Sequence, residues 1–332
     1  MKVQDLETFV VGNPPPAFGG RYFFLLRLRT ACGIVGYGEV YAASVGPLAM
    51  QAVVEDVFAR HLQGHDPSAI ERFFRSAHAS GYSMRPDPTL MGAVSGLEMA
   101  CWDIVGKALE RPAHALLGGR VRDRVRTYTY LYPRDGEDAA AFYASAEASA
   151  ERAAEYAAQG FTAVKFDPVY DGRQPDLRSL ERSARFCRLL RDAVGAHVDL
   201  LFGTHGQFTP AGAIRLARKI TAYDPLWFEE PTPPEMPEAM AQVARASTVP
   251  IATGERLCTK WEFARVLALN AAAILQPNLG RVGGLLEAKK VATLAEAHYA
   301  QIAPHLYCRP IVAAERERQT APKPGLLIRA RS

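Results

Sequence analysis

The sequence has no apolar stretch approaching the ~20 residues of a membrane helix, and its first residues, MKVQDLETFVVG, lack the basic flank and apolar core of a secretory leader. Its 39 Lys and Arg and 35 Asp and Glu residues are scattered through 332 residues, without the long basic run of a nucleic-acid binder. We therefore expect a cytoplasmic protein that binds neither membranes nor nucleic acids.

Paired cysteines are also absent. The five cysteines lie far apart, their number is odd and no two form a C-x-x-C pair, so neither a disulfide framework nor a thiolate zinc site is indicated. We expect buried, reduced thiols at these positions. They are Cys32, Cys101, Cys187, Cys258 and Cys308.

The first third of the chain predicts strands followed by helices. The segments VQDLETFVV, YFFLLRLRT and GIVGYGEVY are typical of an antiparallel meander, and from about residue 46 to 117 the apolar spacing becomes helical. Strands followed by a run of helices indicate an α+β domain. We place this domain at residues 1–120, just beyond the Gly118-Gly119 helix stop.

Residues 121–332 alternate between short apolar strands and helical stretches, which indicates a repeated βα unit. Seven strands are clear, namely RTYTYLY, AVKFD, VDLLFG, PLWFEE, PIATGE, AAILQP and QIAPHLY. Polar residues at the strand ends recur at similar intervals: residues 229 and 255 are 26 apart, 255 and 278 are 23 apart, and 278 and 305 are 27 apart. This spacing is typical of the βα units of a TIM barrel, which places the chain in the α/β class.

The active site of a parallel barrel forms at the carboxyl ends of its strands, so the polar residues there are the candidates for chemistry. These are Lys165, Asp167, His205, Glu229, Glu230, Glu255, Asn278 and His305. Glu229 and Glu255 end successive strands and would repel each other unless a hard cation such as Mg²⁺ lay between them. A salt bridge to a neighbouring Lys or Arg is the alternative for either glutamate.

His205 and His305 are the candidates for proton transfer. On opposite sides of a bound substrate, one imidazole would remove a proton while the other donates one to a departing hydroxyl. Asn278, on the strand before His305, is placed to hold that imidazole in one tautomer. Lys165 follows two apolar residues and should point into the barrel. The alternative for each histidine is a structural role.

Several of these motifs carry a family resemblance. The runs VKFDP, WFEEP, ATGER and PHLY, the QPN-x-x-R-V-G-G run of residues 276–284, and the earlier LEMACWDIVGK and LLGG resemble the mandelate racemase and acid-sugar dehydratase subgroup of the enolase superfamily. The resemblance implies an N-terminal capping domain over a modified (β/α)₇β TIM barrel at residues 121–332. It also implies a Mg²⁺ ion that polarises the carboxylate of a 2-hydroxy acid.

Carried over residue by residue, the resemblance implies that His305 is the general base, His205 the acid for the leaving group and Lys165 the cation that grips the carboxylate. Asp167 stands where racemases of the subgroup have a second lysine base, which favours dehydration over racemisation. The loops at residues 14–21 and 41–46 match segments that close over substrate. Arg21 and Tyr41 are therefore expected to contact sugar hydroxyls.

Three features depart from the family pattern. Gly203 stands where an aspartate is usually the third metal ligand, and Asn278 replaces the aspartate that orients the base. The third is the basic, proline-interrupted tail AAERERQTAPKPGLLIRARS, with Ala330 near the place of a family glutamate. We expect the C-terminal part of the barrel to be truncated or altered, and an exposed apolar seam there favours a homo-oligomer.

Three functions follow from these residues. The first is a Mg²⁺-dependent dehydratase of an aldonate or aldarate, which forms an enediolate and eliminates the β-hydroxyl to give a 2-keto-3-deoxy acid. The second is a racemase or epimerase with Lys165 and His305 as opposed bases. The third is a barrel that has lost catalysis, which is motivated by Gly203, Asn278 and the unusual tail.

Overall fold

The computed structural model describes residues 1–14, 20–41, 44–82, 84–169 and 175–306 of the chain. An antiparallel sheet comes first, with strands β1 (Val3–Gly12), β2 (Tyr22–Thr30) and β3 (Val35–Val40) in that order. In β2 the alternate residues Phe24, Leu26 and Leu28 are buried, as expected where one sheet face covers an apolar core. The predicted meander is confirmed.

Four helices follow the sheet: α1 (Pro47–His61), α2 (Ile70–His78), α3 (Pro88–Ala108) and α4 (Ala113–Leu116). Helix α3 begins where the Asp87 side chain accepts hydrogen bonds from the backbone N–H groups of Thr89 and Leu90. A Cβ on Gly38 of β3 would lie only 1.8 Å from the carbonyl oxygen of Gly96 in α3. Glycine at position 38 therefore lets the helix pack directly against the sheet.

The second sheet is the barrel sheet, with seven parallel strands that neighbour one another in chain order. Its strands are β4 (Thr129–Tyr130), β5 (Ala163–Phe166), β6 (Asp199–Phe202), β7 (Trp227–Glu229), β8 (Ile251–Thr253), β9 (Ile274–Leu275) and β10 (Gln301–Ile302). Its helices are α5 (Ala139–Ala144), α6 (Ala146–Ala158), α7 (Leu177–Val194), α8 (Pro210–Ile220), α9 (Pro237–Ala246), α10 (Thr259–Ala268) and α11 (Leu285–Ala297). All seven predicted strands are confirmed, and so is the α/β barrel class with an N-terminal α+β domain.

Successive strand residues point to opposite faces of the barrel sheet, which creates two layers of buried side chains. Outward-facing residues such as Phe166, Phe202 and Phe228 pack with the surrounding helices, and neighbouring rings meet edge to face at 5.6 and 5.5 Å between centroids. A smaller cluster forms a second layer within the sheet. It contains Ala163, Leu201, Trp227, Ala252 and Ile274.

A buried carboxylate joins the N-terminal helices to the barrel. Glu98 of α3 accepts hydrogen bonds from the backbone N–H groups of Leu285 (2.8 Å) and Leu286 (2.9 Å) in the first turn of α11. These N–H groups have no partner within their own helix, and the positive end of the helix dipole favours an anion there. Gly284 has φ +99° and a Cβ there would lie 2.3 Å from Glu98 Oε2, so this contact requires glycine.

Cys101, Cys187 and Cys258 are buried as expected, but Cys32 is exposed because it lies in the short turn between β2 and β3, so the expectation was wrong there. No helix in the described ranges is long and apolar enough to cross a membrane. Cys308, Ala330 and the tail lie outside the described residues, and the domain boundary after residue 120 remains a prediction.

We predict that Glu98→Ala lowers the free energy of unfolding by about 3 kcal/mol, because hydrogen bonds to a charged acceptor contribute ~1.5–3 kcal/mol each. Guanidinium denaturation followed by circular dichroism measures this loss. Glu296→Ala is the matched control. Glu296 is an exposed glutamate of α11, the helix that Glu98 contacts, and its loss should change stability by less than about 0.5 kcal/mol. Equal losses in both variants would contradict a specific role of Glu98.

Candidate active site

The candidate site lies at the carboxyl end of the barrel strands. Side chains two positions apart along a strand point to the same face. The residues two positions after members of the smaller apolar cluster therefore form the next layer of side chains towards the carboxyl end of the strands. Three of them are Lys165 after Ala163, Glu229 after Trp227 and Gln276 after Ile274. A polar level therefore stands directly above an apolar one, and the strand register brings these side chains together.

Lys165 and Glu229 form a buried ion pair, with 2.5 Å between Nζ and Oε1. Glu229 is fully buried, and its Oε2 accepts hydrogen bonds from Gln276 Nε2 (2.9 Å) and Trp227 Nε1 (3.1 Å). Burial alone would lower the pKa of Lys165, but the attraction of Glu229, Tyr128 and Glu255 outweighs it and raises the pKa well above the usual range. Lys165 is therefore an ammonium group at neutral pH and has no lone pair to act as a base.

Gly203 marks the place where the family resemblance implies a third metal ligand. A Cβ at this position would lie 3.2 Å from Lys165 Cε and 3.1 Å from the carbonyl oxygen of Phe166. The lysine side chain therefore occupies the space that a side chain at position 203 would enter. Because Gly203 has no side chain, Lys165 has room to reach Glu229 and form the ion pair.

His305 belongs to a chain of hydrogen bonds that begins at the backbone of Gly280. Gly280 N–H donates to Asn278 Oδ1 (2.9 Å), and Asn278 Nδ2 lies 2.9 Å from His305 Nδ1. His305 Nε2 lies 3.2 Å from Glu255 Oε2. Burial, followed by the positive charges of Lys165 and Arg281, lowers the pKa of His305 to about 3. The imidazole is therefore neutral at physiological pH.

His205 has a different partner. Its Nδ1 lies 3.0 Å from Asp167 Oδ2, and the other carboxylate oxygen, Oδ1, accepts from the backbone N–H of Val169 (3.0 Å). The hydrogen bond to Asp167 is the largest cause of a raised pKa of His205, and it outweighs burial, which lowers the pKa. The His205 side chain is 51% exposed, whereas that of Asp167 is 12% exposed. A histidine–carboxylate pair thus occurs at His205, whereas His305 Nδ1 has the amide of Asn278 as its partner.

The structure also places two arginines that the sequence did not single out, and one strand-end glutamate that it did. Arg281 Nη1 donates to the backbone carbonyl of Glu255 (3.2 Å), and its guanidinium lies 4.2 Å from the centre of the Tyr41 ring. Glu230 is buried and pairs with Arg256 Nε at 2.6 Å. Burial, with a contribution from Glu255, raises the pKa of Glu230 to about 7. Arg281 lies in the QPN-x-x-R-V-G-G run, which was a signal for its place beside the site.

The two predicted substrate contacts from the N-terminal domain have different positions. Tyr41 N–H donates to the carbonyl oxygen of Gly280 (3.1 Å), and the Tyr41 and His305 rings are 6.3 Å apart. Arg21 is exposed at the end of the β1–β2 connection, and within the described part of the chain no hydrogen bond or ion pair joins its side chain to the barrel. The structure brings Tyr41, but not Arg21, to the candidate site.

The donor set does not fit Mg²⁺ as it is arranged. A hard divalent cation requires several oxygen ligands, but Gly203 supplies none and Glu229 already accepts from three donors of the protein. Glu255 Oε2 faces His305 Nε2. Among the described residues no group of three or more His, Cys, Asp or Glu side chains converges as a metal site. The cation adjacent to Glu229 is the ammonium of Lys165.

Comparisons with known proteins agree with this fold. The mandelate racemase / muconate lactonizing enzyme N-terminal domain matches residues 17–118, and the enolase C-terminal domain-like family matches residues 148–317. D-galactonate dehydratase of Ralstonia nicotianae is 35% identical over 315 residues, which cover 95% of this chain and 77% of that protein. The D-galactonate dehydratase of Verminephrobacter eiseniae is also 35% identical, over 318 residues, with the same coverage.

Solved structures give the same result. A mandelate racemase/muconate lactonizing enzyme from Sulfitobacter sp is 57% identical with a TM-score of 0.93, over 98% of this chain and 84% of that one. An enolase from Agrobacterium radiobacter with bound Na and L-malate is 30% identical with a TM-score of 0.84, over 95% and 77% of the two chains. Fold and strand-end residues thus define an enolase-type barrel enzyme. The chain belongs to the mandelate racemase and muconate lactonizing enzyme family, and its dehydratase relatives are carbon–oxygen lyases.

We predict that Lys165→Met lowers the free energy of unfolding by ~3–5 kcal/mol, because it leaves the buried carboxylate of Glu229 without its ion-pair partner. The double variant Lys165→Met/Glu229→Gln should recover about 2 kcal/mol of this loss in urea denaturation. Lys219→Met is the matched control, since its pair with Glu181 is on the surface and should contribute less than ~1 kcal/mol. No recovery in the double variant would contradict the pairing.

Proposed function

We propose that the chain is a hydro-lyase that dehydrates an acid sugar, an aldonate or aldarate, to a 2-keto-3-deoxy acid. The observation that carries the proposal is one fixed ammonium group within electrostatic reach of two imidazoles. Asp167 raises the pKa of His205 and burial lowers that of His305, while the charge of Lys165 acts to lower both. β-Elimination requires a group that stabilises the charge on the carboxylate, a base that removes the proton and an acid that protonates the leaving hydroxyl. The ammonium and the two imidazoles are our candidates for these three functions.

The chemistry sets these requirements. A proton next to a carboxylate is a very weak acid, so the site must stabilise the negative charge that develops on the carboxylate oxygens as the C–H bond breaks. The Lys165 ammonium is the group that attracts those oxygens. One imidazole removes the proton, the electron pair forms the C=C bond, and the β-hydroxyl takes up a proton and leaves as water. The enol product then becomes the 2-keto-3-deoxy acid.

The relatives suggest the substrate class. Proteins 35% identical to this chain are named D-galactonate dehydratase, and the Agrobacterium radiobacter structure holds L-malate, which is a 2-hydroxy acid. Tyr41 lies beside Arg281 and His305, which supports its predicted contact with a sugar hydroxyl. We propose D-galactonate as the first substrate to test. Arg21 remains a predicted contact.

Racemisation has less support. Two opposed bases are needed, and the raised pKa of Lys165, whose burial is outweighed by the attraction of Glu229, keeps this residue protonated. Asp167, which stands at the place of the second lysine, is hydrogen-bonded to His205. Dehydration needs only the groups that the site already supplies in suitable protonation states.

Magnesium remains a prediction that rests on the family resemblance, and no chemical step is assigned to it because the donor set does not fit the ion. Glu229 and Glu255 are the predicted ligands. A homo-oligomer, a cytoplasmic location and the absence of a nucleic-acid partner also remain predictions.

A panel of aldonates and aldarates, followed by detection of keto acids, tests the proposed reaction. We expect turnover of D-galactonate or a related acid sugar, and loss of at least ~100-fold in activity in His205→Ala, since general acid–base catalysis contributes 10²–10⁴-fold. Keto-acid formation in D₂O should place deuterium in the product. Deuterium in recovered substrate together with its inverted stereoisomer, without any keto acid, would instead establish racemisation, and inactivity on the whole panel would contradict the dehydratase proposal.

We predict that Gly203→Asp raises the affinity for Mg²⁺ by at least ~10-fold, because it restores a charged oxygen ligand beside Glu229. Isothermal titration calorimetry measures the change. Gly203→Asn is the matched control, since it has the same size and meets the same neighbours without the charge. Tight Mg²⁺ binding by the unmodified chain, unaltered by either substitution, would contradict the conclusion that the donor set does not fit.

A further inference from the structure

We propose that the two histidines have the opposite roles to those that the family resemblance implies: His205 accepts the proton from carbon through Nε2, whereas His305 is a hydrogen-bond donor through Nε2–H. The inference rests on the proposed dehydration for its chemical meaning. Its structural basis is independent of any substrate, because hydrogen bonds on the Nδ1 atoms fix a different tautomer in each ring.

The tautomer of His305 follows from the backbone of Gly280. A backbone N–H can only donate, so the amide atom of Asn278 that faces Gly280 N at 2.9 Å must be the oxygen. The other amide atom, Nδ2, therefore faces His305 Nδ1 at 2.9 Å, and an NH₂ group can only donate. His305 Nδ1 must carry the lone pair, and in the neutral ring the proton is on Nε2.

Glu255 fits this assignment. A carboxylate oxygen accepts hydrogen bonds, and Glu255 Oε2 lies 3.2 Å from His305 Nε2, the atom that carries the proton. Every member of the chain from Gly280 through Asn278 and His305 to Glu255 then has a donor opposite an acceptor. An Nε2 that carries a proton has no lone pair, so it cannot remove a proton from carbon. It can donate to an oxygen that becomes negative.

His205 has the complementary arrangement. Asp167 is oriented by the N–H of Val169, which donates to Oδ1 at 3.0 Å and leaves Oδ2 for His205 Nδ1, also at 3.0 Å. Because the carboxylate accepts, the proton of the neutral ring is on Nδ1 and the lone pair is on Nε2. The side chain is half exposed, and we assign Nε2 as the ring atom that meets a ligand. A carboxylate behind Nδ1 also stabilises the imidazolium that forms when Nε2 gains a proton.

The elimination step balances with these roles. His205 Nε2 takes the proton from the carbon next to the carboxylate, and the C–H electron pair becomes the new C=C bond. The bond from the β-carbon to its hydroxyl breaks, and its electron pair leaves on oxygen. That oxygen takes the proton back from the His205 imidazolium and departs as water. His305 Nε2–H, on exchanging Glu255 for a substrate oxygen, and the Lys165 ammonium stabilise the negative charge that develops on the substrate oxygens. Asn278 is a positioning residue, because it acts only through His305.

Histidine ¹⁵N labelling of the full chain with long-range ¹H–¹⁵N correlation spectra tests the tautomers directly. The spectra distinguish Nε2–H from Nδ1–H rings, and His305→Gln and His205→Gln identify the two signals among the eight histidines. We expect the Nε2–H pattern for His305. We expect Nδ1–H, or a ring exchanging with imidazolium, for His205. An Nδ1–H pattern for His305 would overturn the proposal, whether or not any substrate is turned over.

The variant Asn278→Asp tests whether Asn278 determines where the His305 ring carries its proton. An aspartate keeps the size but accepts a hydrogen bond, so His305 Nδ1 should gain a proton; with Glu255 still accepting at Nε2, the ring should show the imidazolium pattern while the His205 signals stay in place. Asp167→Asn should alter only His205. His305 that keeps the Nε2–H pattern in Asn278→Asp would overturn the role given to Asn278. The exposed His298 supplies an unaffected reference signal in all variants.

Exchange of the α-proton with D₂O separates the roles in catalysis. His205→Gln should lose exchange and dehydration together by ~10²-fold or more, whereas His305→Gln, which retains an N–H donor, should keep the larger share of the exchange rate. The reverse order would overturn the proposal. If the tautomers are as expected but no acid sugar exchanges or dehydrates, the proposed function fails and the tautomer assignment stands.

Discussion

The parallel register of the barrel sheet is the constraint on which the site depends. It places side chains two positions apart along each strand at the same end of the sheet, so Lys165, Glu229 and Gln276 meet above the apolar level of Ala163, Trp227 and Ile274. The apolar level excludes water beneath the polar one. A buried ammonium–carboxylate pair in that position holds its charges in fixed places, which is what a site that stabilises developing charge requires.

The hydrogen bonds around the ion pair fix the position of each side chain. Gln276 and Trp227 complete the coordination of Glu229, and Lys165 occupies the space next to Gly203. Two histidines with different partners stand within reach of the same ammonium. One is backed by a carboxylate and the other by an amide. The carboxylate accepts a hydrogen bond from Nδ1 of one ring, whereas the amide donates one to Nδ1 of the other. The two imidazoles therefore carry their protons on different nitrogens and acquire different functions.

Much of the fold and of the site could be predicted from the sequence. Seven strands alternate with helical segments, and the residues at their ends, including Lys165, Asp167 and His305, are the ones that the structure brings together. The direction of hydrogen bonds could not be predicted, because it depends on backbone groups such as Gly280 N–H. The N-terminal contacts were predicted only in part: Tyr41 lies beside the site and Arg21 does not, because their positions depend on how the two domains pack.

The positions of the hydrogen atoms on the His205 and His305 rings decide whether the two tautomers differ. Neutron diffraction from crystals of the full chain exchanged into D₂O locates deuterium on each imidazole nitrogen. We predict deuterium on Nε2 and none on Nδ1 of His305, with the Asn278 amide deuterons directed at that Nδ1, and deuterium on Nδ1 of His205 facing Asp167. Deuterium on Nδ1 of His305 would contradict this prediction.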